Sequence, residues 1–410
     1  MAKIIPFAAV RPTKANVGLV VSRSYEDYPA DELNTTLEYN PFSFLHIVNP
    51  GYKFHHDISG EKRFSLVRNR YLEFLEEGIF QKDKSPSFYI YKMKTKKTVF
   101  CGIFAGASVK EYQNNAIKKH ESTLKNREKL FKDYLKTVGF NAEPVLLTYP
   151  DNQEIESILQ SVTQQPADFE FATTDKSIHY LWKVDNQEII LKIQQAFDEI
   201  PCMYIADGHH RSASSSLLAK ELKKENKDHS GEESYNFFMS YIIPESNLKI
   251  YEFNRLVKDL NGLTKEEFLI QLDTHFRIEN HGADLYKPSK IHHFGMYLDG
   301  EFYSLYLRKN YTFTDSLSKL DAQILFVTIL KPILGIKDLR KDKRIQYGSG
   351  KYNTIKMKDS IDAGQFSVGF SLFPVEVSQM KQIADDGLKM PPKTTYIEPK
   401  LKSGLTIYEF

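Results

Sequence analysis

Cysteine is almost absent: Cys101 and Cys202 are the only two thiols in 410 residues. A secreted scaffold ordinarily holds more pairs, so no disulfide framework is expected, and both thiols, set in the apolar runs VFCGIF and PCMYIA, read as buried and reduced. Charge of one sign is lacking too. Lys plus Arg number 55 against 53 Asp plus Glu, a net of +2 without a long single-sign block, which suits neither nucleic acid nor an anionic membrane surface. No apolar run approaches the roughly 18 to 20 residues of a membrane span, and MAKIIPFAAVRP has no long apolar core of a secretory signal, so the cytoplasm is the expected location. A complete P-loop is missing: Tyr347-Gly348-Ser349-Gly350-Lys351 lacks the spacing and reads as a turn. The pairs His55-His56 and His292-His293 are adjacent, so on a strand they face opposite sides, which disfavours a shared metal.

What is present is ample core material. The hydrophobic share is 41%, with 28 Phe and 24 Tyr, and the length calls for two or three domains of a mixed α/β class. Short apolar runs alternate with amphipathic stretches, which divides the chain into an N-terminal α/β domain over 1–104, a core over 105–235 and a C-terminal α/β unit over 236–410. Helices are expected near Ser65–Glu77, after Ser122, over Asp151–Gln160 and Ile189–Phe197, at Lys265–Asp273, across the apolar Leu320–Leu334 and over Val375–Asp386. Strands are expected at Pro144–Tyr149, Tyr180–Val184, Cys202–Ala206 and Phe237–Ile243, and a hairpin joins His293–Leu298 to Glu301–Leu307 through Asp299-Gly300.

Three polar motifs interrupt this pattern. Asp207-Gly208-His209-His210-Arg211 stands between a strand and a helix beginning at Ser212, whose run of serines keeps its first turns slim. A strand, a tight turn and a helix N-terminus make an anion site, because exposed first-turn amides and the helix dipole both attract negative charge. Lys119-His120-Glu121-Ser122-Thr123 precedes an amphipathic helix carrying Leu124, Phe131, Tyr134, Leu135 and Val138; from these residues alone Glu121 reads as a first-turn acid and His120 as a surface residue. Near the end, Pro391-Pro392-Lys393-Thr394-Thr395 suggests a stiff, extended segment that presents a cation and two hydroxyls at low entropic cost, a carboxylate or phosphate clamp.

Taken together, HE at 120–121, DGHHR at 207–211 and PPKTT at 391–395 resemble the free L-serine kinases, whose catalytic core has a ParB/sulfiredoxin-like fold. The longer frame, ending in KMPPKTTYxxPKLxSGL, is similar to the bacterial family DUF1015, and this likeness covers essentially the whole chain. Sulfiredoxins carry a cysteine in the corresponding turn where this chain has His209, and the long family often has His-Arg where this chain has Asn254-Arg255. The resemblance implies a phosphotransferase making O-phospho-L-serine from ADP, ATP or pyrophosphate with Mg²⁺. It implies Glu121 as general base assisted by His120, and Asp207, Gly208, His209, His210, Arg211 and Ser212 around the donor phosphates. Asp207 is a candidate for orienting those groups or for contacting the metal. Lys393, Thr394 and Thr395 would hold serine, with the two distant motifs joining the DGHHR turn. A kinase of another small hydroxyl compound and a non-catalytic nucleotide-binding protein are the alternatives.

Overall fold

A computed structural model describes residues 3–349 and 353–410. The chain forms two compact units. The first comprises the chain up to Lys119, Thr123–Leu248 and Pro399–Phe410; the second comprises His120–Ser122 and Lys249–Glu398. Both are mixed α/β.

The first unit is built on a nine-stranded sheet. In chain order its strands are β1 (Ile4–Ile5), β2 (Phe88–Lys94), β3 (Val99–Ser108), β4 (Ile117–Lys118), β5 (Val145–Tyr149), β6 (Phe169–Ala172), β7 (Ile178–Val184), β8 (Met203–Asp207) and β9 (Phe237–Pro244). They lie in the order β4-β8-β5-β9-β3-β2-β7-β6, with β1 added along β3. The β9–β5 and β8–β4 pairs are parallel and the others antiparallel. Strands β5 and β9 are buried along almost their whole length and are apolar but for Thr148 and Ser240, because both of their faces are covered. The suggested boundary at 104/105 falls inside β3, and β9 begins just past 235/236; both strands belong to this one sheet. Ile103, Leu147, Ile205 and Ile242 fill one core with Ile155 and Ile193 from flanking helices. A second core gathers Phe44, Tyr71, Phe74, Phe80 and Phe140. It includes α1 (Gly60–Glu76), which begins five residues before the expected start because Phe64 is also buried.

In α2 (Lys125–Val138) only Leu135 and Val138 of the proposed stripe are buried, and Leu124 is exposed. The helices α3 (Gln153–Thr163) and α4 (Gln187–Asp198) are each N-capped by an asparagine side chain. Cys101 and Cys202 are unpaired thiols, both half-buried, and burial pushes the Cys101 thiol up to about 11.

The second unit holds a six-stranded sheet of β10 (Phe253–Val257), β11 (Phe276–Gly282), β12 (His293–Leu298), β13 (Glu301–Leu307), β14 (Ile345–Ser349) and β15 (Val368–Leu372), in the order β11-β13-β12-β15-β10-β14 and antiparallel throughout. The β12–β13 hairpin turns through Asp299 and Gly300, both at positive φ as a two-residue turn of this hand requires. Of the phosphate-loop-like run, Tyr347, Gly348 and Ser349 lie on β14, while Gly350 and Lys351 lie outside the described residues. His55 and His56 are exposed in a loop, as expected, and His292 precedes β12 while His293 opens it. Among the described residues no helix is long and apolar enough to cross a membrane.

Candidate functional site

Strand β8 is buried from Met203 to Ala206 and delivers Asp207 at its end. Gly208 then turns the backbone in a single residue at φ 97°, where a side chain would be strained and where a Cβ would sit 3.0 Å from Arg211 Nε. Helix α5 (His209–Glu225) starts at once, three residues before the expected Ser212, so His209, His210 and Arg211 are its first turn rather than part of a loop. No side chain caps this helix, whose N-cap is Gly208.

The serines after it explain how the helix seats. Ser212 and Ser214 are fully buried, and their hydroxyls donate back to the carbonyls of His209 (3.1 Å) and His210 (2.9 Å). The Ser212 side chain is thus turned into the helix. His209 is buried, and the ring of His210 stands edge-on to Phe131 of α2.

Charge is balanced closely at this junction. Arg211 donates to the Pro144 carbonyl at 2.8 Å, and its guanidinium lies 3.6 Å from both Asp207 and Glu143. Lys400, near the chain end, reaches Asp207 at 3.5 Å. Close packing acts to raise the Asp207 pKa, but Arg211, Lys400 and a 2.9 Å hydrogen bond from the Gly208 N–H outweigh it and hold the carboxyl below its ordinary value.

The other two motifs meet within the second unit. The Met390 N–H donates to the His120 carbonyl at 2.8 Å, tying the HE motif to the segment that leads into PPKTT, 270 residues later in the chain. His120 is fully buried, contrary to the surface position suggested by its neighbours in sequence. Glu121 is half-buried and lies four residues before α2, outside its first turn. The helix-dipole argument for Glu121 therefore does not apply.

The PPKTT segment is a turn rather than an extended strap. The Thr394 hydroxyl donates to the Pro391 carbonyl at 2.6 Å, closing the backbone on itself, and Lys393 takes a left-handed φ of 54°. Thr394 is buried, Thr395 half-buried and Lys393 exposed, its ammonium lying 5.5 Å above the Phe253 ring. Arg255 on β10 holds this turn from below: its buried guanidinium donates to the carbonyls of Phe253 and, at 3.1 Å, of Lys393. Burial brings the Arg255 pKa down to about 10. Burial also lifts the neighbouring Asp321 to about 7, although the His292 N–H and the Arg255 charge act to lower it.

Arg255, Asp321, Glu143 and Lys400 were not singled out as site residues from sequence. Lys400 lies in PKLxSGL, a run that carries the resemblance, and Arg255 in the Asn254-Arg255 pair where the chain departs from the family's His-Arg; those were the available signals. Asp321 and Glu143 had none. Among the described residues no group of three or more His, Cys, Asp or Glu side chains is placed to hold a metal ion.

The family model described as a protein of unknown function, DUF1015, matches residues 4–323. The chain belongs to that family. Solved structures resembling it include a free serine kinase in complex with AMP, at 13% identity over 76% of this chain and 94% of that chain with a TM-score of 0.36. A conserved hypothetical protein from Pyrococcus furiosus shares 15% identity over 75% and 97%, with a TM-score of 0.35. SbnI with a C-terminal truncation, from Staphylococcus aureus, shares 13% over 74% and 87%, with a TM-score of 0.36. Likeness this distant carries no argument about activity. No curated protein matches the chain.

In this DUF1015 chain the DGHHR junction belongs to one unit and the HE and PPKTT motifs to the other. Chemically, the junction offers first-turn residues of a 17-residue helix, two imidazoles and a guanidinium beside one strand-end carboxylate. That inventory suits an anion more than any other ligand class.

Proposed function

We propose that the chain is a phosphotransferase that moves a phosphoryl group from ADP, ATP or pyrophosphate to the hydroxyl of a small acceptor, free L-serine being the acceptor implied by the motif resemblance. The observation that carries this reading is the single-residue junction at Gly208, which turns a buried strand directly into a helix whose first three residues are His209, His210 and Arg211. An uncapped helix N-terminus with basic first-turn residues stabilises phosphate charge before and during transfer.

In the reaction the acceptor hydroxyl oxygen forms a bond to phosphorus as the bond to the leaving phosphate oxygen breaks. The hydroxyl proton passes to the Glu121 carboxylate, and the leaving phosphate departs with the bonding electrons. The Lys393 ammonium complements the acceptor's carboxylate. Its position on a closed turn, fastened by Arg255 and by the Thr394 hydroxyl, supports a clamp whose ordering cost is met on folding.

Asp207 fits Mg²⁺ in a limited way. It is one carboxylate, shared with Arg211 and Lys400, and Mg²⁺ is commonly held by one or two carboxylates together with substrate phosphates. Bound there, the ion would neutralise charge on the transferring group.

The test is incubation of the full chain with L-serine, Mg²⁺ and each donor in turn, followed by detection of O-phosphoserine. Glu121→Gln should cut turnover by at least a hundredfold while leaving donor affinity within about twofold. Donor binding without transfer to any of a panel of small hydroxyl compounds would instead establish a non-catalytic nucleotide-binding protein.

A further inference from the structure

The chain end returns to the first unit as an ordered strap. Ser403 exchanges backbone hydrogen bonds with Ser22, and Ile407 with Val10. Tyr408 pairs with Asn141, and the ring of Phe44 lies 2.8 Å from where a Cβ on Gly404 would be. The strap carries two lysines two residues apart, each on an aspartate of the same unit. Lys402, only 7% exposed, meets Asp175 at 2.9 Å. Lys400, with 41% of its side chain exposed, lies 3.5 Å from the Oδ2 of Asp207, the same oxygen that Arg211 approaches at 3.6 Å.

Counting charge shows what Lys400 does. Arg211 lies between two carboxylates, Asp207 and Glu143, at 3.6 Å from each, and spends one N–H on the Pro144 carbonyl. Arg211 alone is one charge short of the two acids it lies between. With Lys400 the acids are balanced, and the helix N-terminus sets the sign. The strap also touches the second acid, since the Ser403 hydroxyl donates to Glu143 Oε1 at 3.0 Å and leaves Oε2 toward Arg211.

We propose that Lys400 is a donor-phosphate-binding residue, delivered to the DGHHR junction by the C-terminal strap and kept beside it by Asp207. Its ligand is a di- or triphosphate group, whether of a nucleotide or of inorganic pyrophosphate. The inference rests on the phosphotransferase reading of the junction and assigns to it a cation from the far end of the chain.

Calorimetric titration of the full chain with ADP, ATP and pyrophosphate, without acceptor, tests it. Lys400→Gln should weaken the bound donor by about tenfold or more, the worth of one charge-assisted contact, and Lys400→Arg should restore most of the loss. Lys402→Gln is the internal control: it removes the strap's other Lys–Asp ion pair, away from the junction, so it should lower stability and leave donor affinity unchanged. Equal donor affinity in Lys400→Gln and wild type overturns the assignment of Lys400 and leaves the phosphotransferase reading standing. A wild-type chain that binds none of the three donors overturns both.

Discussion

Replacing Gly208 by alanine separates two costs that the junction combines. The first is backbone strain: an L side chain in the left-handed region costs about 1–2 kcal/mol. The second is displacement of Arg211, because the new Cβ would lie 3.0 Å from its Nε and 3.3 Å from its Cζ. Moving the guanidinium endangers the 2.8 Å hydrogen bond to Pro144, worth about 1 kcal/mol where water can partly replace it. Gly231 supplies the reference. Its φ of 96° matches the 97° of Gly208, and nothing lies within 4 Å of its Cβ position, so Gly231→Ala bears the backbone cost alone. The expected losses are about 2–3 kcal/mol for Gly208→Ala and about 1–2 kcal/mol for Gly231→Ala. Trp182, the single tryptophan, is buried on β7 of the same unit, so its fluorescence through a urea titration reads that unit specifically. Donor titration completes the assay, with affinity reduced in Gly208→Ala and unaltered in Gly231→Ala. If the two variants lose the same stability and bind donor equally, Arg211 is not positioned by the bare glycine and the account of the junction is wrong.

Two buried titrating groups give pH dependences of opposite sign. His179 is fully buried between Tyr91 and Phe171, its Nδ1 2.7 Å from the Tyr91 hydroxyl and its Nε2 2.8 Å from the Thr173 hydroxyl; burial brings its pKa down to about 4. The unfolded chain therefore takes up the proton first. The His179 contribution is complete above the ordinary value of about 6.5 and is lost as pH falls toward 4, up to about 3 kcal/mol. His179→Gln should flatten the pH dependence of the Trp182 transition between pH 4 and 6.5. For Asp321, with a folded pKa of about 7, the folded state holds the proton longer, so its contribution is present at low pH and lost as pH rises from about 4 to 7. Asp321→Asn should remove that downward slope from the unfolding of the chain followed by circular dichroism, and an unchanged slope would show that Asp321 does not titrate there.

The elements with strong local patterning were legible in the sequence. Lys265–Asp273 forms the expected helix, opened in the structure by a Thr264–Glu267 capping box, and the hairpin through Asp299-Gly300 follows from turn residues suited to positive φ. The errors arise where a side chain bonds locally in a way that periodicity does not register. Two prolines suggested an extended PPKTT segment, yet one hydroxyl, Thr394 to Pro391, was enough to close it into a turn. Ser212 looked like the helix start because it follows the polar run, but Gly208 completes the reversal alone and releases His209 directly into helix. Glu121 looked like a first-turn acid because an amphipathic run follows, and three intervening residues take the chain into the other unit first.

Long-range pairing was the least legible layer, and the candidate site depends on it most. Asp207 is flanked in sequence only by Ala206 and Gly208, so its neighbours imply an exposed acid beside one arginine. Its actual electrostatic setting adds Lys400, 193 positions later, to Arg211, which Glu143, 64 positions before Asp207, also approaches. The same holds in the second unit, where the turn around Lys393 is fixed by Arg255 and the Met390 amide by the His120 carbonyl. Each motif can be read as chemistry from its own residues, whereas the sign of the charge presented to a ligand is a sum over segments that only the fold assembles. That is why the polar junction at Asp207–Arg211 could be read from its own residues, while the Lys400 ammonium beside Asp207 could not.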